Sequence, residues 1–374
     1  MKKNILIIYT IFLIMMISSS CKREPVRLFV GGFTKPGEKG MSVFEFNKRS
    51  GNLKLISESD VGPGPSYFYY SGEKRLLYAL NEVMEFKESS GGGLTTLKYD
   101  TKNGLFEKIN EILIPYGGPC YISMSPDNGF LFVANYPNGS VAVIKLDGNG
   151  IPAKITDTIL YVKSSPDDSH AHMIINDPAG ERVYVADNGL DRIMIYDFDS
   201  STGKLNLVNN GTVLLPKGSG PRHLVFNADG SKLYVINEQG SSVMVFNVDE
   251  KEGLKLVQTL PSVRKGFEGN NYCADIHIGK NGKFLYGSNR GENTIVTFRI
   301  GSDGKLTLAG HTSCGGDWPR NFVLDPSGKY ILVGNQKSGN ISVFKIDKTT
   351  GQPKEPARQF KVTAPACLKF INIY

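Results

Sequence analysis

The sequence predicts an all-β fold, a seven-bladed β-propeller with four antiparallel strands in each blade. The first observation is a short β-rich segment that recurs seven times at intervals of 46 to 54 residues, as in a repeat architecture. The second is the abundance of Asn-Gly, Asp-Gly and Ser-Gly turn pairs, in a chain with 42 glycines among its 374 residues. The third is that no apolar period of 3.6 residues runs long enough to give the helices of a parallel α/β fold.

The repeated segment is one strand of a four-stranded unit. Its seven copies occupy residues 28–32, 77–81, 131–135, 183–187, 233–237, 285–289 and 331–335. An apolar strand and a turn precede the later copies, as at 125–129, and an alternating strand follows each copy, as at 242–246. A further turn, such as 147–150, leads into a fourth strand. Four antiparallel strands repeated radially are typical of propeller blades.

The two ends of the repeat array predict how the ring closes. The first copy begins at its second strand, within residues 27–33, and has no first strand ahead of it. The segment 364–371 supplies an extra first strand, so we expect it to pair beside 27–33. Closure of this kind leaves no open sheet edge. The propeller domain is predicted to span 27–374.

The residues before the first copy are typical of an export signal. Lys2 and Lys3 precede an apolar run at 5–17, and small residues at 18–20 lead to Cys21. We interpret 1–20 as a lipoprotein-type signal, Cys21 as the lipidated residue and 21–26 as a short tether. The alternative is ordinary secretion with Cys21 unmodified. Either interpretation predicts an exported protein, and the first places it in the cell envelope, where it contacts the membrane only through the lipid at Cys21.

Composition excludes several functional classes. The formal net charge of +7 is mild for this length and forms no basic stripe, so nucleic acid is not expected as a partner. The sequence lacks a Gly-x-Ser-x-Gly nucleophile elbow and the His or Cys spacings of a zinc site. No metal or other cofactor is predicted. A weaker alternative is Ca²⁺ bound by oxygens of Glu82, Asn135, Asp187, Asn188 and Glu238, but neighbouring arginines would repel a cation.

Candidate site residues are found where the copies differ. The start of a blade's first strand and the end of its second meet at one mouth of the central channel. The first of these positions, twelve residues before the second residue of each copy, holds Ser66, Cys120, His172, Arg222, Ala274 and Arg320. The second of these positions lies four residues after the second residue of each copy. It holds Phe33, Glu82, Tyr136, Asn188, Glu238, Arg290 and Gln336. Charged side chains are therefore expected to converge on one rim.

The chemistry of these side chains suits an anionic small molecule. Arg222, Arg290 and Arg320 outnumber the carboxylates, and guanidinium groups bind carboxylate or phosphate through paired hydrogen bonds. His172 is a candidate base near neutral pH, and His170, which lies off the register, is a weaker candidate. The alternative is purely structural, with Arg222 and Glu238 forming an ion pair that fixes one blade.

Motifs along the whole chain resemble those of the seven-bladed lactonase family, which includes propeller-type 6-phosphogluconolactonase and carboxy-cis,cis-muconate cyclase. The matching segments are 118–120, 132–136, 220–223, 237–238, 274–277, 288–291, 318–320 and 335–338. The family's proposed site is a His, two Arg and a Glu. By motif, the resemblance implies that His172, Arg222, Arg290 and Glu238 are the catalytic residues.

The resemblance implies hydrolysis of a sugar-acid lactone of the 6-phosphogluconolactone type. We expect water activated by His172 or Glu238 to attack the ester carbonyl, and Arg222 and Arg290 to stabilise the oxyanion. The expected substrate-binding residues are His223, Asn188, Arg320, Gln336 and Lys337, of which Arg320 with Gln336 or Lys337 would hold a phosphate or carboxylate. Two alternatives stay open: a cyclase that closes an unsaturated diacid into a lactone, and a non-catalytic propeller that binds a glycan or a protein.

Overall fold

The computed structural model describes residues 26–161, 169–249 and 253–372. The predicted signal at 1–20, Cys21 and residues 22–25 of the tether lie outside the described residues. In chain order the strands are β1 (Val26–Gly32), β2 (Met41–Asn47), β3 (Asn52–Ser59), β4 (Phe68–Ser71), β5 (Leu76–Asn81), β6 (Glu85–Phe86), β7 (Ser89–Ser90), β8 (Gly92–Tyr99), β9 (Phe106–Ile114), β10 (Pro119–Met124), β11 (Phe130–Asn135), β12 (Ser140–Leu146), β13 (Pro152–Leu160), β14 (Ala171–Asn176), β15 (Arg182–Asp187), β16 (Arg192–Asp199), β17 (Lys204–Leu214), β18 (Pro221–Phe226), β19 (Lys232–Asn237), β20 (Ser242–Asp249), β21 (Gly253–Pro261), β22 (Tyr272–Ile278), β23 (Phe284–Arg290), β24 (Thr294–Ile300), β25 (Leu306–Ser313), β26 (Pro319–Leu324), β27 (Tyr330–Asn335), β28 (Asn340–Ile346), β29 (Pro353–Lys361) and β30 (Pro365–Asn372).

These strands form seven four-stranded antiparallel sheets around a central channel, so the predicted propeller is confirmed. From the channel outward, blade I is β30, β1, β2 and β3, and blade II is β4, β5, β8 and β9. Blades III to VII take four consecutive strands each, from β10 to β29. The first strands of successive blades contact one another, which places them around the channel. A two-stranded hairpin, β6 and β7, is an insertion in blade II that the sequence pattern does not reveal.

The second strands form the packed interior of each blade. The second residue of the repeated segment is aromatic in most copies and is fully or almost fully buried, as at Tyr78, Tyr234 and Tyr286. Each of these hydroxyls donates a hydrogen bond to a backbone carbonyl in a turn of the next blade: Tyr78 to Gly150, Tyr234 to Gly304 and Tyr286 to Gly351. A buried tyrosine hydroxyl needs such a partner. The repeat therefore links neighbouring blades by polar bonds as well as by apolar contact.

The ring closes as the sequence predicts. β30 pairs antiparallel with β1, with Val26 opposite Asn372 and Leu28 opposite Phe370. β30 thus supplies the innermost strand of blade I from the other end of the chain. None of the described residues forms a helix long and apolar enough to cross a membrane.

Most first strands carry a β-bulge at the mouth of the channel. In β14 the ladder pairs Ala171 with Asp187 and then Met173 with Ala186, so His172 is the extra residue. The extra residues of the other single-residue bulges are Cys120, Arg222, Arg320 and Ala366. A bulge interrupts the alternation of a strand and redirects a side chain. Arg222 and the next residue, His223, accordingly contact each other through their side chains.

Candidate active site at the mouth of the channel

The mouth of the channel contains a small polar cavity. Its lining includes Glu82, His172, Arg222, His223 and Arg320, which come from four different blades. All of these residues except Glu82 lie on first strands, at or beside the bulges. The structure therefore brings together the residues that the repeat register predicts to share one rim.

Glu238 joins three blades at this mouth. Arg290 Nη2 donates to Glu238 Oε1 at 2.7 Å, and Arg222 Nε lies 3.4 Å from Oε2. The side-chain amide of Asn188 donates to the same Oε2 at 3.2 Å. The ion pair between Arg222 and Glu238 that the sequence offers as a structural alternative is therefore present, but Glu238 shares it with Arg290.

The two carboxylates of the mouth differ in their ionisation. Burial opposes the ionisation of Glu238, but Arg290 and Arg222 outweigh it and hold the pKa of this carboxyl below its ordinary value. Burial raises the pKa of Glu82, although Arg320 at 4.0 Å and the hydroxyl of Ser66 favour its charged form. Glu238 is consequently a fixed negative charge, whereas Glu82 is the carboxyl that holds a proton more readily.

The three arginines keep unused hydrogen-bond donors. Arg222 donates through Nη1 to the carbonyl of Ala274 at 2.5 Å, and Arg290 donates through Nε and Nη2 to the carbonyls of Tyr272 and Cys273. Among the described residues, neither Nη2 of Arg222 nor Nη1 of Arg290 has a partner, and Arg320 makes only the 4.0 Å ion pair with Glu82 and a contact with the ring of Phe33. These free N–H groups suit an anionic ligand.

Of the two candidate histidines, only His172 is uncommitted. His170 stacks on Tyr136 with the rings 4.6 Å apart, and its Nδ1 lies 3.0 Å from the carbonyl of Tyr136. His172 is 4% exposed, and its Nδ1 has no partner among the described residues. Burial and then the positive charge of Arg222 hold the pKa of His172 well below 6.5, so this imidazole is neutral.

A buried polar chain holds Arg222 from behind. Asp275 Oδ1 lies 2.7 Å from His223 Nδ1, and Asp275 Oδ2 lies 2.9 Å from His277 Nε2. Burial opposes the charge on Asp275, but His277 and His223 keep its pKa well below the ordinary value. Asp275 therefore accepts the Nδ1 proton of His223, which leaves His223 Nε2 as the acceptor facing Arg222 Nη1 at 3.3 Å. Burial and Arg222 lower the pKa of His223 to about 4, which keeps this ring neutral.

The remaining predicted residues lie around the rim. Asn188 bridges to Glu238 and accepts from the amide of Gln239 at 2.8 Å. The buried Oε1 of Gln336 has no donor among the described residues. Lys337 Nζ lies 3.3 Å from the centroid of the Trp318 ring. His223 contacts the guanidinium of Arg222 through Nε2, so we assign it a supporting role.

The structure offers no basis for the calcium alternative. Within the described part of the chain, no three His, Cys, Asp or Glu side chains are grouped to hold a metal ion. The carboxylate of Asp187 instead accepts from the hydroxyl of Ser169, the backbone N–H of His170 and the guanidinium of Arg192. The larger groove on the opposite face, about 1180 Å³ between blades V and VI, lacks arginine and histidine.

Two residues of the mouth, Asp275 and Trp318, were not predicted as site residues, and Glu82 was predicted at the rim without a role in the reaction. Glu82 occupies the same repeat position as Glu238, and the pKa values of the two carboxyls differ because the side chains around them differ. Asp275 follows the bulged position of blade VI, and an acidic residue between two histidines in space is not visible from spacing alone. Trp318 lies two residues before Arg320, where three other copies have glycine. The remaining copies have His170, Tyr272 and Ala364 there, so the sequence alone does not single out Trp318.

Comparison with known proteins agrees with this geometry. Residues 27–370 match the family model described as Lactonase, 7-bladed beta-propeller. The chain is 33% identical over 356 residues to a 6-phosphogluconolactonase of Formosa agariphila, which covers 92% of this chain and 99% of that protein. It is 27% identical over 353 residues to a 6-phosphogluconolactonase of Bacillus subtilis, with 92% and 98% covered.

A solved structure gives the same result. The periplasmic gluconolactonase of Pseudomonas aeruginosa is 30% identical and aligns with a TM-score of 0.87, covering 94% of this chain and 100% of that one. The family match spans nearly all the described residues. The chain therefore belongs to the seven-bladed β-propeller lactonases, a family whose chemistry is the hydrolysis of small lactones.

Proposed function

We propose that the mouth of the channel hydrolyses a sugar-acid lactone of the 6-phosphogluconolactone type. The observation that carries the proposal is that Arg222 and Arg320 line the cavity beside the neutral, unpaired His172, while Arg290 joins Arg222 at Glu238. An ester carbonyl that is attacked by water develops negative charge on its oxygen, and fixed donors stabilise that charge. The names of the two similar 6-phosphogluconolactonases support this substrate class.

In this mechanism His172 is the general base. Its neutral ring has a free nitrogen, whereas both oxygens of Glu238 are engaged by arginines and an amide. His172 takes a proton from the attacking water while the water oxygen bonds to the ester carbon. Collapse of the tetrahedral intermediate breaks the ring C–O bond, and the proton on His172 passes to the leaving alkoxide. The product is the open sugar acid.

Arg222 and Arg290 stabilise the oxyanion in this proposal. Glu238 holds both guanidinium groups in place, so it is a positioning residue rather than the base. Asn188 and His223 support this arrangement through Glu238 and Arg222. Arg320 remains available for another negative group of the substrate.

The test is the rate of δ-lactone hydrolysis by purified His172→Ala and Arg222→Ala, corrected for spontaneous hydrolysis. We expect His172→Ala to lower kcat by about 10²–10⁴-fold and Arg222→Ala to lower it by about 10²–10³-fold. His170→Ala is the matched control and should retain most of the activity. Unchanged rates in both site variants would overturn the proposal. Muconate-type diacids and oligosaccharides, tested as thermal-shift ligands, separate it from a cyclase or a binding module.

We also propose that the enzyme works in the cell envelope, with a lipid on Cys21. The basic start, the apolar run and Cys21 support export, and the similar Pseudomonas aeruginosa protein is described as periplasmic. Replacement of Cys21 by Ser should release the protein from the membrane fraction. Equal membrane retention of both forms would argue against the anchor.

A further inference from the structure

One position of the mouth has a left-handed backbone in most blades. It lies two residues before the bulged position, and φ is 54° at Gly64, 57° at Gly118 and 60° at Gly220. Glycine adopts such angles without steric conflict. In blade VII the same position is Trp318, with φ of 68°. The equivalent residues of the other blades are His170, Tyr272 and Ala364, and of these only Ala364 has a positive φ, 38°. A residue as bulky as tryptophan in this conformation is a rare outlier.

The backbone of Trp318 is fixed in this conformation from both sides. Its N–H donates to the side-chain oxygen of Asn293 at 2.9 Å, and its carbonyl accepts from the N–H of Gln336 at 2.9 Å. Pro319 follows and begins β26. The indole is consequently held at the rim next to Arg290, whose guanidinium carbon lies 5.3 Å from the ring centroid.

The same ring positions a lysine. The ammonium of Lys337 lies 3.3 Å from the ring centroid, a cation–π contact. Lys337 is exposed, and no described carboxylate lies within ion-pair distance of its ammonium. The adjacent Asp317 instead accepts a hydrogen bond from the amide of Asn293. Trp318 thus holds the exposed ammonium of Lys337 at the rim of a site that already has surplus arginine.

We propose that Trp318 and Lys337 form a subsite for a second anionic group of the lactone, a phosphate monoester or a carboxylate, at the end remote from the ester. The inference rests on the proposed function, because the ester lies at His172 and Arg222. A cation on a rigid ring at the rim binds the remote group while the ester carbonyl lies in the cavity. The subsite therefore selects charged sugar lactones over neutral ones.

The first test compares three lactones: 6-phosphogluconolactone, a glucaric acid lactone and neutral glucono-δ-lactone. Trp318→Gly restores the residue found at this position in three other blades, so folding is preserved. Trp318→Gly and Lys337→Ala, measured as separate variants, should each raise KM for one or both charged lactones. The expected increase is about tenfold, which corresponds to the loss of a charge-assisted hydrogen bond. KM for the neutral lactone should change less than twofold. Lys48→Ala, in the exposed turn between β2 and β3, is the control.

The phosphorylated and dicarboxylic lactones distinguish the two sources of negative charge. A KM effect on the phosphorylated lactone alone identifies a phosphate subsite, and an effect on the dicarboxylic lactone alone identifies a carboxylate subsite. Equal losses for charged and neutral lactones, or no loss in either variant, would overturn the inference.

A second measurement is independent of catalysis. Trp318 is the one tryptophan of the chain, so its fluorescence reports directly on this position. We expect 6-phosphogluconate or glucarate to change the emission at lower concentrations than gluconate does, and Lys337→Ala to weaken that response about tenfold. If no lactone is hydrolysed but the emission responds, the proposed function fails and the subsite remains. If lactones are hydrolysed but the emission ignores all three acids, the subsite is wrong.

Discussion

The body of the blades and the mouth of the channel use the same repeat in opposite ways. In the body, equivalent tyrosines do the same thing in blade after blade, and Tyr78, Tyr234 and Tyr286 each bond to a carbonyl of the next blade. At the mouth, equivalent positions hold Cys120, His172, Arg222 and Arg320, and each has different partners. Agreement between copies thus marks the residues that build the ring, and disagreement marks those available for chemistry.

The strongest test of this comparison removes the strand that completes the ring. Deletion of residues 365–374 takes away β30, the innermost strand of blade I, and exposes the edge of β1. We expect loss of soluble folded protein, or a fall in Tm of more than about 10 °C. Thermal unfolding followed by circular dichroism measures this. A truncated form with the Tm of the full chain would contradict the closure.

The next test disrupts a hydrogen bond at the mouth and leaves the packing of the blades unchanged. Asp275→Asn removes the negative charge that accepts the Nδ1 proton of His223, so the tautomer that presents His223 Nε2 to Arg222 is no longer fixed. We expect kcat to fall about 10–100-fold, as when a residue that orients a ligand is lost. KM should change less, because the rim residues remain.

The matched control for this variant is His277→Gln, which keeps the contact between Asp275 and His223. It should retain near-normal kcat. Equal kcat losses in both variants would mean that Asp275 has a purely structural role.

A third test lowers the pH to protonate His223 at the mouth. The pKa of His223 is about 4 in the folded protein and about 6.5 when unfolded, so the unfolded chain binds the extra proton between these values. Stability is therefore complete above pH 6.5 and falls as the pH decreases toward 4, by up to about 3 kcal/mol. Urea unfolding at several pH values measures the slope. His223→Gln cannot titrate and should have a shallower slope, and identical slopes would refute this origin.

The smallest expected effect comes from the body. Tyr234→Phe removes a buried hydroxyl that donates to the carbonyl of Gly304 at 2.9 Å. We expect a loss of about 1 kcal/mol in the free energy of unfolding and no change in kcat/KM. A marked loss of lactonase activity in this variant would show that body and mouth are not separable.

The sequence predicts the fold almost completely because the repeat is periodic. Copy number, strand order and closure by 364–371 all follow from spacing. The convergence of His172, Arg222 and Glu238 follows as well, since equivalent positions in a ring share one face.

Other features of the mouth depend on contacts between copies about 50 residues apart, which spacing does not encode. The bulges let Arg222 and His223 face the same way, against the alternation expected of a strand. The position of Asp275 between His223 and His277 depends on side-chain geometry across strands. The sharing of Glu238 by two arginines decides its role and is visible only in three dimensions.

The pairing of β1 with β30 has a consequence for how the molecule is made. The two strands lie at opposite ends of the described chain, so their contact has the greatest loop-closure cost in the protein. A ribosome must deliver nearly every blade before blade I gains its inner strand. The newly made chain therefore has no finished ring until its last strand has been synthesised.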